Sequence, residues 1–375
     1  MLKDLFTPCL ILDKAKFDAN IQKIKSIVLK QKIDFRPHLK TAKCLEITKI
    51  LVREFGPRAM VSTIEELEQL KSSGINDFLY SVAIVPNKLD RIAKNLSNNC
   101  KITVAVDNIS TAQELVSFYK STGNKITAVV ELDLDGHRSG VRPHATEQLI
   151  KIGKCLDEFD LFRGVMSHAG ESYGLSNEKD INNCAKNEAD QTVMAAETIQ
   201  KAGINCELVT IGSTPTALSG HKNKGITELR AGVFLFFDLV QSGVGVCNVE
   251  EIALSVLTSV ISYNKEIDAI IVDAGWMALS RDRGTSSQET DYGYGQVCYE
   301  DGTLIENVIV TSVQQEHGII QVRKGSDAEL PYLRPGEVLR VLPNHACATA
   351  AAHNRYNVVN QKNQIINVWG RFNGW

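Results

Sequence analysis

The sequence predicts an α/β protein, a TIM (β/α)8 barrel followed by a mostly β C-terminal domain. From residue 33 to about residue 240, strand-like and helix-like runs alternate at intervals of roughly 25 residues, the length of one βα unit. Eight such units in series favour a closed barrel over an open doubly wound sheet. After about residue 245 the pattern changes to β-rich runs separated by Gly, Asp and Pro turns. A length of 375 residues also suggests two domains.

The eight barrel strands are predicted to begin near Ile33, Ala59, Asp77, Lys101, Lys125, Leu161, Cys206 and Ile226. Several of these runs are apolar on both faces, as parallel strands covered by helices are. Two capping-box patterns, Thr63 with Glu66 and Ser110 with Gln113, predict the starts of two intervening helices. The last two helices of the barrel are weakly marked.

We predict that the barrel spans residues 13–243 and that the β-rich domain comprises residues 1–12 and 244–375. The extended run Thr7–Leu12 precedes the first barrel strand and is expected to join the sheet of the C-terminal domain. The other β runs expected there are Ile252–Ile261, Ala269–Val272, Asn307–Val313 and Glu337–Leu342.

Composition and charge exclude several classes of protein. The 41 Lys and Arg residues against 44 Asp and Glu residues give a net charge of −3, which disfavours a nucleic-acid binder that relies on global charge. No apolar run reaches the roughly 18 residues of a membrane span, and the N-terminus lacks the plan of a signal peptide. We therefore expect a cytoplasmic protein with no membrane partner. The nine cysteines include no CxxC pair, which indicates mostly buried, reduced thiols.

Polar residues end several of the barrel strands, where the chemistry of a TIM barrel is located. On the first strand, Arg36, His38 and Lys40 are spaced by two and are expected to share one face. Later strand ends carry Arg138, His168, Gly170, Ser172, Tyr173, Gly212, Ser213, Thr214, Arg230, Gly232 and Val233.

Taken singly, each of these residues has an ordinary structural explanation, such as a solvated lysine, a turn, an ion pair or a barrel histidine with its hydrogen bonds satisfied. Together they indicate a binding site for a phosphate-bearing cofactor. Backbone N–H groups and hydroxyls after strands seven and eight form the usual phosphate site of a barrel. A lysine that faces such a phosphate is what a pyridoxal phosphate Schiff base requires.

Seven short motifs follow one another along the chain: RPHLKTAK, ELDLDGHRSGV, IGSTPT, TELRAGVFLFFD, VDAGWMALSRD, QEHG and PNHACAT. Each is weak alone, but their ordered combination resembles the D-serine dehydratase / D-threonine aldolase family over nearly the whole chain. These are fold-type III pyridoxal phosphate enzymes related to alanine racemase. The resemblance implies a barrel followed by a β domain, a homodimer, and Lys40 as the lysine that forms the Schiff base with pyridoxal 5'-phosphate.

The segment PNHACAT places His345 and Cys347 two residues apart, so on a strand both side chains would point to the same face. Imidazole and thiolate suit zinc, although a lone HxC pair usually arises by chance. Its position in the family motif favours a metal site for Zn2+, with Mn2+ or another divalent metal as alternatives. The D-serine dehydratases resemble this chain in carrying His and Cys, whereas the aldolases typically have Asp in place of Cys347.

The resemblance implies a zinc-dependent dehydratase that converts a D-3-hydroxy amino acid such as D-serine to a 2-oxo acid and ammonia. Lys40 would act as the general base, and the metal would help the hydroxide to leave. His168 and Tyr173 are expected to line the pocket, and Arg138 and Arg230 to contact the cofactor ring. Glu316 and His317 belong to the QEHG motif and receive no role.

Several alternatives stay open at this point. One is an aldolase that cleaves D-threonine or 3-hydroxy-D-aspartate to glycine and an aldehyde, and another is a 3-hydroxyaspartate dehydratase. A protein that binds pyridoxal phosphate without turnover represents a different class. A racemase would need a second base, for which Tyr173 and Tyr263 are available. The chain departs from the commoner family pattern at Ala42, Ala231 and Phe234, which puts the substrate in doubt more than the cofactor.

Overall fold

The computed structural model describes residues 2–375, which form two compact units. The barrel unit contains Ile24–Gly232 together with Gly374 and Trp375. The β unit contains the described residues up to Lys23 together with Val233–Asn373. The main-chain hydrogen bonds form one sheet of eight strands and one of nine strands.

Strand β1 (Cys9–Asp13) and helix α1 (Lys14–Gln31) come first along the chain. The barrel strands follow as β2 (Asp34–Pro37), β3 (Arg58–Val61), β4 (Asp77–Ala83), β5 (Lys101–Val106), β6 (Thr127–Leu132), β7 (Phe162–Ser167), β8 (Leu208–Ile211) and β9 (Glu228–Ala231). Their order is β2-β9-β8-β7-β6-β5-β4-β3, and all neighbours are parallel. A parallel bridge between His38 and Met60 joins the two outermost strands and closes the sheet. The predicted TIM barrel is confirmed, and each predicted strand start lies within two residues of the observed one.

The helices of the barrel unit are α2 (Leu45–Phe55), α3 (Ile64–Leu70), α4 (Leu89–Ala93), α5 (Ile109–Thr122), α6 (Thr146–Asp157), α7 (Glu178–Lys201) and α8 (Thr214–Leu218). Thr63 caps α3 as predicted, since its hydroxyl accepts the Glu66 N–H at 3.0 Å. The capping box predicted at Ser110 is wrong. Asn108 caps α5 instead, accepting the Thr111 N–H at 2.8 Å, because asparagine is as good a cap as serine and comes first.

The remaining elements are helices α9 (Leu239–Val244), α10 (Trp276–Leu279) and α11 (Ala346–Ala351), and strands β10 (Leu254–Asn264), β11 (Ala269–Val272), β12 (Gln296–Cys298), β13 (Leu304–Val313), β14 (Gly318–Val322), β15 (Val338–Leu342), β16 (Arg355–Val359) and β17 (Ile365–Gly370). The nine-stranded sheet has the order β11-β14-β13-β12-β15-β10-β1-β16-β17. Strand β1 pairs antiparallel with β10 and parallel with β16. The N-terminal run therefore joins this sheet as predicted, and the four other predicted β runs all form strands.

The nine cysteines are free, seven of them buried, in agreement with the prediction of reduced thiols. Among residues 2–375, no helix has the length and hydrophobicity that a membrane span requires.

A charged cluster lies inside the barrel. Arg36 is 1% exposed and contacts the carboxylates of Glu228 at 2.9 Å and Asp77 at 3.2 Å. Arg163 contacts Asp77 at 3.0 Å from another strand. Burial acts to raise the pKa of Asp77, but Arg36 and Arg163 outweigh it and lower that pKa to about 2. The pair of guanidinium groups thus stabilises Asp77 in its charged form.

We expect Asp77→Asn to lower the free energy of unfolding at pH 7 by about 2 kcal/mol, the equivalent of the pKa shift. Because the folded-state pKa is depressed, this stabilisation is complete above the unfolded pKa and is lost as the pH falls through about 2. Denaturant unfolding of both proteins between pH 7 and pH 2 measures the difference. Asp160→Asn, at an exposed position, is the control and should match wild type. A difference that stays constant with pH would contradict the ion-pair explanation.

Candidate active site

Lys40 lies just beyond the C-terminal end of β2. The strand ends at Pro37, His38 N donates to Ala231 O at 2.8 Å, and a turn begins at Leu39. Lys40 is exposed in that turn. The prediction that Arg36, His38 and Lys40 share one strand face is therefore wrong, because the chain leaves the strand before Lys40 and Arg36 is used in the interior ion pairs.

Lys40 and four other basic residues of the barrel unit interact electrostatically with one another. Burial lowers the pKa of His38, and the charges of Lys40, Arg230, His168 and Arg138 lower it further. Burial and the charges of Arg138, Arg230 and Lys40 lower the pKa of His168 to about 3. Both imidazoles are therefore neutral near pH 7, and the lysine and two arginines give the region a positive potential that suits an anionic ligand.

His168 joins the ends of two neighbouring strands. Its Nδ1 lies 2.6 Å from the carbonyl oxygen of Gly212. Because a carbonyl only accepts, Nδ1 carries the proton and Nε2 is left as an acceptor. The ring of Tyr173, in the 3-10 helix Gly170–Gly174, lies 6.2 Å from the His168 ring between centroids. The structure thus brings these two predicted pocket residues together.

The loop between β8 and α8 has the features of a phosphate site. At Gly212 a Cβ atom would lie 2.0 Å from the carbonyl oxygen of Arg230, so only glycine allows this close approach of two strands. Ser213 caps α8 in a capping box with Thr216. The Thr214 hydroxyl is buried and has no hydrogen-bond partner in the structure. A buried hydroxyl without a partner is rare in proteins, and a phosphate oxygen would satisfy it. These residues therefore fit a phosphate-bearing cofactor.

The two predicted arginines occupy different positions. Arg230 is buried, and its guanidinium donates to the Thr210 hydroxyl at 2.8 Å and to the Ser167 carbonyl oxygen. Arg138 is half exposed and contacts Glu131 at 3.2 Å. Gly232 follows Arg230 closely, and a Cβ there would lie 2.9 Å from the carbonyl oxygen of His38, which again requires glycine.

Three more predicted positions lie in the β unit. Val233 begins a 3-10 helix and is the first residue of the β unit after the barrel. Glu316 and His317 are exposed in the turn between β13 and β14. The sites of departure from the family pattern, Ala42, Ala231 and Phe234, are all buried.

In the β unit, His345 and Cys347 lie at the start of α11. His345 is the residue that precedes the helix, and Cys347 is in its first turn. The prediction that both lie on a strand is wrong, because the alanine-rich segment that follows His345 favours a helix. The turn nevertheless brings the two side chains within hydrogen-bonding reach of each other.

Asp282 holds His345 in place. The Nδ1 atom of His345 lies 2.7 Å from Oδ2 of Asp282, so Nε2 is the nitrogen left for a metal. Burial opposes protonation of His345, but Asp282 and Cys347 outweigh it and raise its pKa to about 11, so a metal that binds Nε2 would have to displace a proton. In residues 2–375, no group of three or more His, Cys, Asp or Glu side chains is arranged to hold a metal. The arrangement fits a site with two protein ligands whose other positions are open to non-protein ligands.

Two carboxylates of the site region were missed by sequence reasoning. Asp282 lies in the VDAGWMALSRD segment, but its contact with His345 spans 63 residues. Glu188 is buried in the middle of α7, where it contacts the loops after β7 and β8. A signal for Glu188 was present, because it falls at helical spacing on a face with Ile181, Cys184 and Ala185, where an unpaired glutamate is costly.

The chain matches two families. Residues 12–240 match the alanine racemase N-terminal domain, and residues 253–359 match the serine dehydratase domain. The chain is 38% identical over 377 residues to D-threo-3-hydroxyaspartate dehydratase of Delftia sp. (strain HT23), covering 100% of this chain and 99% of that one. This chain belongs to the family of D-serine and D-threo-3-hydroxyaspartate dehydratases. The resemblance predicted from the motifs is confirmed.

Other members of the dehydratase family agree with this assignment. The D-serine dehydratase of Dictyostelium discoideum is 30% identical, covering 98% of this chain and 96% of that one. The solved Delftia enzyme superimposes with a TM-score of 0.96, covering 100% of this chain and 99% of that one. Two further structures of that enzyme are alanine variants of a histidine and of a cysteine two positions later, the cysteine variant in a metal-free form.

Proposed function

We propose that this protein is a pyridoxal phosphate- and zinc-dependent dehydratase that converts a D-3-hydroxy amino acid such as D-serine to a 2-oxo acid and ammonia. The observation that carries the proposal is the buried, unpartnered hydroxyl of Thr214, at the start of the helix that follows strand β8, in the same unit as Lys40. Membership of the dehydratase family supports the same reaction class.

The barrel unit supplies the groups that handle the α-carbon. When bound, pyridoxal phosphate withdraws electrons from that carbon. Lys40 would hold the cofactor through its amine and would act as the general base for the α-proton of the substrate. Gly212, Ser213 and Thr214 bind the phosphate. Neutral His168, with Nε2 as acceptor, and the charges of Arg138 and Arg230 complete the pocket.

His345 and Cys347 are the groups that we propose for the β-hydroxyl. His345 and Cys347 would hold zinc, with manganese or another divalent metal as the alternative, and Asp282 orients His345. Such a metal supplies a Lewis acid for departure of the hydroxyl as hydroxide. A metal-free form of a cysteine variant of D-threo-3-hydroxyaspartate dehydratase supports a metal role for a cysteine in this family.

A second candidate is D-threo-3-hydroxyaspartate. The relative that is 38% identical over the whole chain carries this substrate in its name. A second carboxylate on the substrate also matches the positive potential around Lys40, Arg138 and Arg230. This candidate uses the same groups for elimination and differs only in how the substrate side chain is recognised.

A substrate panel tests the proposal. D-serine, D-threonine and D-threo-3-hydroxyaspartate, with their L-enantiomers, are each incubated with holoenzyme, and ammonia, 2-oxo acid, glycine and aldehyde are measured. We expect equal amounts of ammonia and 2-oxo acid from at least one D-substrate and none from its L-enantiomer. Glycine with an aldehyde would identify an aldolase. Inverted substrate without ammonia would identify a racemase, and cofactor binding without turnover a binding protein.

We further propose a homodimer, which the family resemblance implies, and a cytoplasmic location, which the sequence predicts. Sedimentation of the holoenzyme measures the oligomeric state. Fractionation of the source cell measures the location.

A further inference from the structure

Glu188 is a buried carboxylate that the proposed reaction does not use. It lies on α7 and is 1% exposed. A buried carboxylate is costly unless its oxygens accept hydrogen bonds, so its contacts must compensate that cost. Two of its four partners, Ala169 and Gly212, lie in the loops that follow β7 and β8, and the other two are Ser167 at the end of β7 and Thr216 in α8.

One oxygen of Glu188 joins these two loops. Its Oε1 accepts the N–H of Gly212 at 3.0 Å and that of Ala169 at 3.1 Å, and the Ser167 hydroxyl lies 3.4 Å away. Because backbone N–H groups only donate, Oε1 must be an acceptor. Gly212 is thereby held at both ends of its backbone, by Glu188 at its nitrogen and by His168 at its oxygen.

The other oxygen of Glu188, Oε2, accepts a hydrogen bond from the first of three hydroxyl groups that contact one another in series. Thr216 donates its hydroxyl proton to Oε2 of Glu188 at 2.8 Å, so its own oxygen is an acceptor for the Ser213 N–H at 3.2 Å. Ser172 donates its proton to the Ala169 carbonyl oxygen at 2.7 Å. The Ser213 hydroxyl lies between these two, 3.0 Å from Thr216 Oγ1 and 2.8 Å from Ser172 Oγ. Since both neighbours donate their protons elsewhere, the single proton of the Ser213 hydroxyl can turn toward one of their oxygens or toward a ligand oxygen.

We propose that Glu188 is a positioning residue for the cofactor phosphate: it fixes Gly212 directly and Ser213 through Thr216, so that the polar groups of this loop are held where the phosphate would bind. The Thr214 hydroxyl, which has no partner, is the second available donor. This inference rests on the proposed function, because it names the residue that prepares the phosphate loop.

Both oxygens of the Glu188 carboxyl group accept hydrogen bonds, and a glutamine cannot reproduce that set. Burial raises the pKa of Glu188, although its contacts with Thr216, Gly212 and Ala169 and the charge of Arg230 oppose that shift. A glutamine has the same shape and can still accept the two N–H groups. Its NH2 group, however, would face Thr216 Oγ1 as a donor, so the threonine proton would have to turn away from residue 188 and the arrangement of Thr216 and Ser213 would change.

The test compares cofactor forms with and without the phosphate. Apo-protein is titrated with pyridoxal phosphate and with pyridoxal, and binding is followed by visible absorbance. For Glu188→Gln we expect the Kd of pyridoxal phosphate to rise about tenfold, the equivalent of one hydrogen bond, while the Kd of pyridoxal stays unchanged. The phosphorus NMR resonance of the bound cofactor should shift as well. Glu197→Gln, an exposed change on the same helix, is the matched control and should equal wild type in both titrations.

An unchanged ratio of the two Kd values in Glu188→Gln would overturn the inference, whether both values stay at wild type or both rise by the same factor. If that variant does not fold, Thr216→Val removes only the hydroxyl that links Glu188 to Ser213, and the same selective loss for pyridoxal phosphate is expected. A Thr216→Val protein with the wild-type ratio would then decide against the inference. If wild-type protein binds neither ligand, the proposed function fails together with this inference, whereas normal wild-type binding confines the failure to Glu188.

Discussion

Lys40→Ala is expected to reduce elimination from a D-3-hydroxy amino acid by at least about a thousandfold and to remove the visible absorbance that pyridoxal phosphate acquires on binding. The variant loses both the amine that bonds the cofactor and the base that takes the α-proton, and a positioned base alone contributes about 10²–10⁴ in rate. Pyruvate release and the absorbance spectrum of the purified protein measure the two effects.

Lys49→Ala provides the matched control for this experiment. Lys49 is exposed on α2 in the same unit, and its substitution should leave both the spectrum and the rate at wild-type values. A Lys40→Ala protein that kept its cofactor absorbance and its turnover would remove Lys40 from the site. Loss of both in the control as well would indicate general damage to the barrel unit.

Cys347→Ala is expected to lower the elimination rate by at least about a hundredfold while the cofactor absorbance stays intact, because the metal loses one of its two protein ligands and departure of the hydroxide loses its Lewis acid. Metal content, measured by atomic emission, should fall in parallel. Cys155→Ala, at another half-buried cysteine, is the control and should keep both metal and activity.

Removal of the metal from wild-type enzyme tests the proposed role of His345 and Cys347. Wild-type enzyme stripped of metal by a chelator should lose elimination and recover it when zinc is added. Undiminished turnover in the stripped enzyme would show that His345 and Cys347 have another role. Cys347→Asp adds a second comparison, since it puts a carboxylate ligand in place of the thiolate. We expect this variant to bind cofactor normally and to eliminate slowly.

The barrel and its cofactor loop could be predicted because their signals are local. Buried parallel strands give apolar runs at a regular interval, and the carboxyl ends of such strands meet at one end of a barrel. Lys40 and Gly212–Thr214 could therefore be grouped although more than 170 residues separate Lys40 from Gly212. The strand starts were correct to within two residues for the same reason.

The parts that could not be predicted depend on tertiary contacts or on a choice of local conformation. The spacing of His345 and Cys347 predicts a strand, but an HxC pair is compatible with a strand or a helix. The alanines around Cys347 favour the helix. The partners of Asp282 and Glu188 lie on other elements of the fold. No local pattern indicates that a glutamate on α7 reaches Gly212 and Ala169 at the same time.

Strand β1 has a consequence for the way this chain can be divided and synthesised. It is inserted between β10 and β16, so the sheet that contains it is built from both ends of the polypeptide. A ribosome must translate the whole barrel before β1 meets either neighbour. A fragment beginning after the barrel would lack an inner strand and expose two unpaired edges, which favours aggregation. A gene fragment that encodes a self-sufficient β unit would have to carry the N-terminal strand as a fused segment.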